Sequence, residues 1–99
     1  MKTNIEVNGA CMTIAIEGRL DTLTAPDLQA ELETYKLGEI SEIVLDLGKT
    51  EYISSAGLRA LLQAYRSMKV GGVMRVVNAN DITRKVFEVT GFVDIFNIE

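Results

Sequence analysis

The chain has 99 residues, 14 acidic against 10 basic side chains, and a formal net charge of −4. That length supports one hydrophobic core, a single domain over 1–99, and the 47% hydrophobic and 24% charged fractions exclude disordered and fibrous architectures. No block of Lys or Arg stands out, so nucleic acid and anionic membrane surfaces would on average repel the domain, and a neutral or basic protein surface is the easier partner.

Hydrophobic periodicity orders the elements. Ile5 and Val7 alternate with Glu6, Asn8-Gly9 offers a type I′ turn, and Met12, Ile14 and Ile16 alternate through Cys11 to Glu17, which predicts a β-hairpin. Gly18 to Leu23 reads as a loop. Thr24 then serves as the N-cap of a first helix, with Pro26 tolerated in the first turn and Asp27 answering the free amides. Ala25, Leu28, Leu32 and Tyr35 fall on one face of that helix.

Ile43-Val44-Leu45 inside Glu42 to Leu47 is a continuous apolar run, the pattern of a strand covered on both faces. A loop through Gly48 and Lys49 follows, and a second helix starts near Ser54-Ser55. Its stripe is Leu58, Leu61, Leu62, Tyr65 and Met68, and Gly71-Gly72 closes it. Val73 to Val77 is the next strand. Asn80 or Asp81 caps a short helix bearing Ile82, Val86 and Phe87 and ended by Gly91, after which Val93, Ile95 and Ile98 suggest a last strand.

An opening hairpin followed by alternating strands and helices predicts an α/β domain, with a mixed sheet and helices packed against it. In such sheets the functional surface tends to lie at the carboxyl ends of the strands. Two segments converge there: the loop around Asp21, and the turn from Tyr52 to Gly57.

The residues that are missing narrow the chemistry. With no His, a Ser-His-Asp triad and a His-ligated zinc are excluded, and the lone Cys11 can form neither an internal disulfide nor a thiolate cage. Neither common glycine-rich phosphate cradle occurs, so no nucleotide cofactor and no metal are expected. No run of about 18 apolar residues is present, and the first residues lack the apolar core of a signal peptide, which predicts a cytoplasmic chain without membrane insertion.

Ser54-Ser55-Ala56-Gly57 sits where a strand hands over to a strongly amphipathic helix. Two hydroxyls there can cap the first helical turn, which is the ordinary role of serines in this position. The functional reading is a phosphoacceptor: a phosphate at a helix N-terminus meets free amides and the positive end of the dipole. Ala56 and Gly57 would keep the surface small enough for another protein to approach.

Gly18-Arg19-Leu20-Asp21 with Thr24-Ala25-Pro26, Ile43-Val44-Leu45-Asp46-Leu47, Tyr52-Ile53-Ser54-Ser55-Ala56-Gly57-Leu58, Gly71-Gly72 and Phe87-Glu88-Val89-Thr90-Gly91-Phe92 follow one another in an order that resembles the STAS domain. Within it the resemblance is to the bacterial anti-sigma factor antagonists. In that family the phosphoacceptor segment reads Asp-Ser-(Ser/Thr)-Gly-Leu, and the serine after the Asp is modified. Carried over by position, that serine is Ser55, with Gly57-Leu58 matching the family's Gly-Leu and Asp21 matching an acidic residue near the acceptor. Ser54 replaces the motif's Asp and becomes a rival acceptor, and Ala56 replaces its second hydroxyl residue.

The resemblance implies a non-enzymatic binding module. Unphosphorylated, it would bind an anti-sigma factor that is also a serine kinase and so free a sigma factor; phosphorylation of Ser55 would release that partner, and a separate serine phosphatase would reset the switch. Asp21, Leu23, Thr24, Ser54, Ser55, Ala56, Gly57 and Arg59 are the expected partner-binding residues. The alternative is a STAS subunit of another assembly, a lipid transporter component or a signalling scaffold; a weak nucleotide-binding domain is a third reading. Asp21 has two readings, orienting an incoming phosphoryl donor (or its Mg²⁺) or bonding its own loop. Leu23 either staples the first helix or points outward as the apolar centre of a docking patch. Arg59 lies off the apolar stripe and is expected in solvent.

Overall fold

The computed structural model describes residues 1–99. Five strands, β1 (Lys2–Asn8), β2 (Cys11–Leu20), β3 (Glu42–Ile53), β4 (Val73–Val77) and β5 (Asn97–Ile98), lie in the spatial order β1-β2-β3-β4-β5. The hairpin β1–β2 is antiparallel and every later neighbour is parallel, so the sheet is mixed. Three helices connect and cover it: α1 (Ala25–Leu32), α2 (Ser55–Ser67) and α3 (Asp81–Val89). No helix is long and apolar enough to cross a membrane.

Register makes one core. Met12 pairs with Ile43 and Ile14 with Leu45, while Ile43 and Leu45 pair in turn with Met74 and Val76, so all of these side chains leave the same face. They are buried together with Leu28 and Leu32 of α1, Leu58, Leu61 and Ala64 of α2, and Phe87 of α3. The other face carries Thr13, Ala15, Val44, Asp46, Arg75 and Val77, all half-buried. The apolar run of β3 is therefore covered on one face, not two; Val44 is tolerated on the open side because its neighbours there are small or polar.

Several local expectations need correction. The hairpin turn is Gly9-Ala10 rather than Asn8-Gly9: Asn8 pairs with Cys11, and only the first of the two central residues, Gly9 at φ 63°, has positive φ, the pattern of a type II′ turn. The segment read as a loop from Gly18 is strand as far as Leu20, and β3 does not stop at Gly48-Lys49 but runs on to Ile53. Both errors share one cause. Pairing between β2 and β3 slips between Ala15 and Glu17 and again between Gly18 and Arg19, and these bulges break the alternation that marks a strand. The Thr50 hydroxyl donates to the Ile16 carbonyl at 2.7 Å across this disturbed stretch.

The α1 face ends at Leu32, and Tyr35 packs on the core from the turn beyond it. On α3, Asn80 is the cap, its side-chain oxygen accepting from Thr83 N at 2.8 Å, but Ile82 points into solvent. After Gly91, at φ 79°, comes a 3-10 turn, Phe92–Asp94, rather than a strand through Val93 and Ile95. Those two are exposed and Phe96 is the buried residue, meeting Tyr65, Phe87 and Phe92 edge to face. A forked pair from Arg75 to Glu99, at 2.5 and 2.9 Å, closes the chain over β4.

Candidate functional site

The parallel ends of β2 and β3 deliver two segments to one edge. Leu20, the last residue of β2, is buried, and its carbonyl accepts from Ser54 N at 2.9 Å. This single bond ties the start of α2 to the end of the neighbouring strand. Directly after Leu20 the Asp21 loop begins, so the two predicted segments do meet.

On the α2 side the two serines separate into different roles. Ser54 is the N-cap, half-buried, with extended backbone, and its hydroxyl accepts from Gly57 N at 3.3 Å. Ser55 is the first helical residue and is exposed. Helices leave their first amides without intrahelical partners. Because Ser54 takes the amides of Gly57 (by its hydroxyl) and Leu58 (by its carbonyl), those of Ser55 and Ala56 remain beside the Ser55 hydroxyl. Arg59 is exposed on the next turn, four residues on, where side chains share a face with Ser55.

Ala56 is half-buried against the core, and Gly57 is buried. The expectation that Gly57 keeps an outer surface small is thus replaced: its missing side chain makes room for Leu20 and Ile53 inside the molecule. Leu58 begins the buried stripe, as expected, while Ala60 and Ala64 join it and Leu62 and Tyr65 are only half-buried.

The Asp21 loop is held by its own polar groups. Asp21 Oδ1 accepts from Leu23 N at 3.0 Å and Thr24 N at 3.2 Å. The Thr24 hydroxyl accepts from Asp21 N at 2.8 Å and donates to the Arg19 carbonyl at 2.9 Å. Thr24 is accordingly a loop fastener and not a cap for α1: its side chain makes no capping bond to the helix. Arg19 reaches Asp21 Oδ2 at 3.5 Å and lays its guanidinium over the Tyr52 ring at 4.7 Å, joining β2 to β3 across the edge. That bridge was invisible in the sequence because Arg19 seemed to stand in a loop.

Burial works against the charge on Asp21, but the amides of Leu23 and Thr24, the Thr24 hydroxyl and Arg19 outweigh it and hold the carboxyl below its ordinary value. Asp21 is an anion in a fixed loop, and both readings of it fit that state. The loop leaves Leu23 84% exposed, so it does not staple α1. Leu23 therefore points outward from a loop fastened by the Asp21 and Thr24 side chains. No group of acidic residues is arranged to hold a metal ion. Cys11, away from this edge, lies 3.5 Å from Glu42, and burial and that carboxylate raise its thiol pKa, which disfavours the thiolate.

Relatives of known designation agree with this architecture over nearly the whole chain. A Bordetella bronchiseptica protein, BtrV, named as an anti-sigma factor antagonist, is 32% identical over 99 residues, covering 99% of this chain and 85% of the relative. The anti-sigma-B factor antagonist of Listeria monocytogenes is 31% identical over 87 residues, covering 87% and 76%. The crystal structure of an anti-sigma factor antagonist from Mycobacterium paratuberculosis matches with a TM-score of 0.85 at 25% identity, over 98% of this chain and 83% of that one. The STAS domain model matches residues 2–99. The fold and the family match agree over the same residues, and this chain is a member of the STAS domain family.

Proposed function

We propose that this chain is an anti-sigma factor antagonist working by partner switching, with Ser55 as its phosphoacceptor. The observation that carries the reading is the Ser55 hydroxyl, exposed at the first position of α2, while the adjacent Ser54 hydroxyl is spent on the cap. In the unmodified state Leu23, Asp21 and the α2 tip form the docking surface for an anti-sigma factor with serine kinase activity, and its capture frees a sigma factor. The kinase transfers the γ-phosphoryl group of ATP to Ser55 Oγ, leaving ADP and a proton. The modified residue carries about −1.5 to −2 charges. The amides of Ser55 and Ala56 and the Arg59 guanidinium satisfy that dianion within the chain, so the fold persists. A partner surface shaped for a neutral hydroxyl and for Leu23 meets a bulky, desolvated charge and leaves. A separate serine phosphatase restores the first state, and the cycle takes place in the cytoplasm. The domain supplies the switch and none of the chemistry.

Incubation with an anti-sigma factor serine kinase and ATP, followed by mass spectrometric mapping, tests the acceptor. The expected product carries one phosphate on Ser55. Phosphate on Ser54 alone, or on neither serine with a kinase active on another substrate, overturns the assignment. Binding gives a second readout: Ser55→Ala retains the anti-sigma factor, whereas Ser55→Asp and Leu23→Ser both weaken it.

A further inference from the structure

The sheet has one long open edge. β1 is seven residues, pairs with β2 without a slip and has no neighbour on its other side, while the opposite edge is the two-residue β5. Proteins ordinarily blunt such an edge with brevity, proline, a bulge, an inward charge or outward charged side chains. β1 has only the last, Lys2 and Glu6 on its outer face, and these are of opposite sign; its core-side residues are Thr3, Ile5 and Val7, and Val7 is 47% exposed.

Hairpin geometry says which groups are free. Across a two-residue turn the closing pair, here Asn8 and Cys11, exchanges backbone bonds, and the alternation along an antiparallel ladder gives Glu6, Asn4 and Lys2 the same role. The amides and carbonyls of Thr3, Ile5 and Val7 then point away from β2. The Thr3 hydroxyl is engaged by Glu31 of α1, which leaves its backbone groups for the edge.

We infer that β1 is a homodimer interface, pairing antiparallel with β1 of a second copy about a two-fold axis at Asn4. Two central registers bring the free backbone groups of both copies together. Centred on Ile5, Lys2 faces Asn8 and Glu6 faces Asn4, with no charge matched. Centred on Asn4, Lys2 faces Glu6 of the second copy, twice by symmetry, and Thr3 faces Ile5. Charge complementarity selects the second, since opposite charges directly across a ladder stabilise it and mismatches do not. Two five-stranded sheets then form one continuous sheet. The two copies run in opposite directions, so their Ser55 edges lie at opposite ends and both stay open. The inference does not depend on the function of Ser55.

Sedimentation equilibrium of the full chain from micromolar to millimolar concentration tests this, with circular dichroism to confirm that each variant is folded. Glu6→Lys, which faces uncharged Thr13 in its own chain, should weaken association about tenfold, because two attractive cross-strand pairs become repulsive. Lys2 faces Glu17 in its own hairpin, so adding Lys2→Glu together with Glu17→Lys, which keeps that pair opposite in sign, should restore it. Asn4→Cys in a Cys11→Ser background should cross-link under mild oxidation, because directly opposed residues in a non-hydrogen-bonded pair have Cα atoms about 4.5 Å apart, within disulfide reach. A monomer at every concentration, or a dimer indifferent to Glu6→Lys, overturns the interface; a dimer that responds to charge but cross-links through Ile5→Cys and not Asn4→Cys overturns the register.

Discussion

Gly57 on α2 stands so close to Leu20 at the end of β2 that a Cβ on Gly57 would lie 2.7 Å from the Leu20 carbonyl oxygen and 2.8 Å from its Cγ. That carbonyl is the same one that accepts from Ser54 N. Approach and bond together set how deeply the first turn of α2 seats on the sheet edge, and so where the Ser55 hydroxyl stands relative to Leu23.

Gly57→Ala tests that seat. Alanine is favoured over glycine in a helix by about 1 kcal/mol. Here the added methyl meets backbone, which cannot swing aside, and overpacking of this kind costs about 1–3 kcal/mol. The expected outcome is a net loss of up to about 2 kcal/mol in urea denaturation, together with weaker anti-sigma factor binding. Stability above that of the parent would show that α2 can lift off Leu20 freely.

The two serines should separate cleanly in stability measurements. Ser54→Ala removes the cap on α2 and should cost about 0.5–2 kcal/mol. Ser55→Ala removes an exposed hydroxyl and should stay within about 0.5 kcal/mol of the parent. Chemical denaturation of both variants checks this, and the reverse order would mean that Ser55 is the structural residue.

Asp21 should make the loop acid-sensitive. Its carboxyl is held below its ordinary value of 3.8, so its contribution to stability is complete above that value and drains as the pH falls through the lower, folded-state value. Asp21→Asn keeps an oxygen for the Leu23 and Thr24 amides but has no charge to lose. The advantage of the parent over this variant, followed by urea midpoint against pH, should hold at neutral pH and vanish in strong acid. An advantage constant with pH would show that the carboxylate charge contributes nothing to the loop.

Both faces of this site could be named from the chain, but their division of labour could not. Ser54 and Ser55 are adjacent hydroxyls with equal claim to the cap, and only the backbone direction at Ser54 (φ −89°, ψ 174°) decides which oxygen turns back to Gly57 N. Thr24 before Ala25-Pro26 has every mark of a cap, yet Asp21 N and the Arg19 carbonyl, brought close by the loop, compete for its hydroxyl and win. Gly57 has a neighbour from a strand 37 positions earlier, which no local pattern can announce. Phe96 is silent in the sequence for the same reason: its partners Tyr65, Phe87 and Phe92 gather only once α2, α3 and the final turn have packed.

What the amino-acid order determined by itself was everything governed by period and local backbone chemistry. The hairpin, three amphipathic helices, a cap at Asn80 or Asp81, the Gly91 stop and the α/β class follow from alternation, 3.6-residue spacing and turn residues. What the tertiary structure alone decided was everything that depends on distant partners: the bulges that let β3 run to Ile53, the single covered face of the sheet, the loop that turns Leu23 outward, and the exposure of Ser55 beside a buried Gly57. Periodicity reports which side of an element is apolar, whereas register and packing decide what that side meets, and the site is made of such meetings.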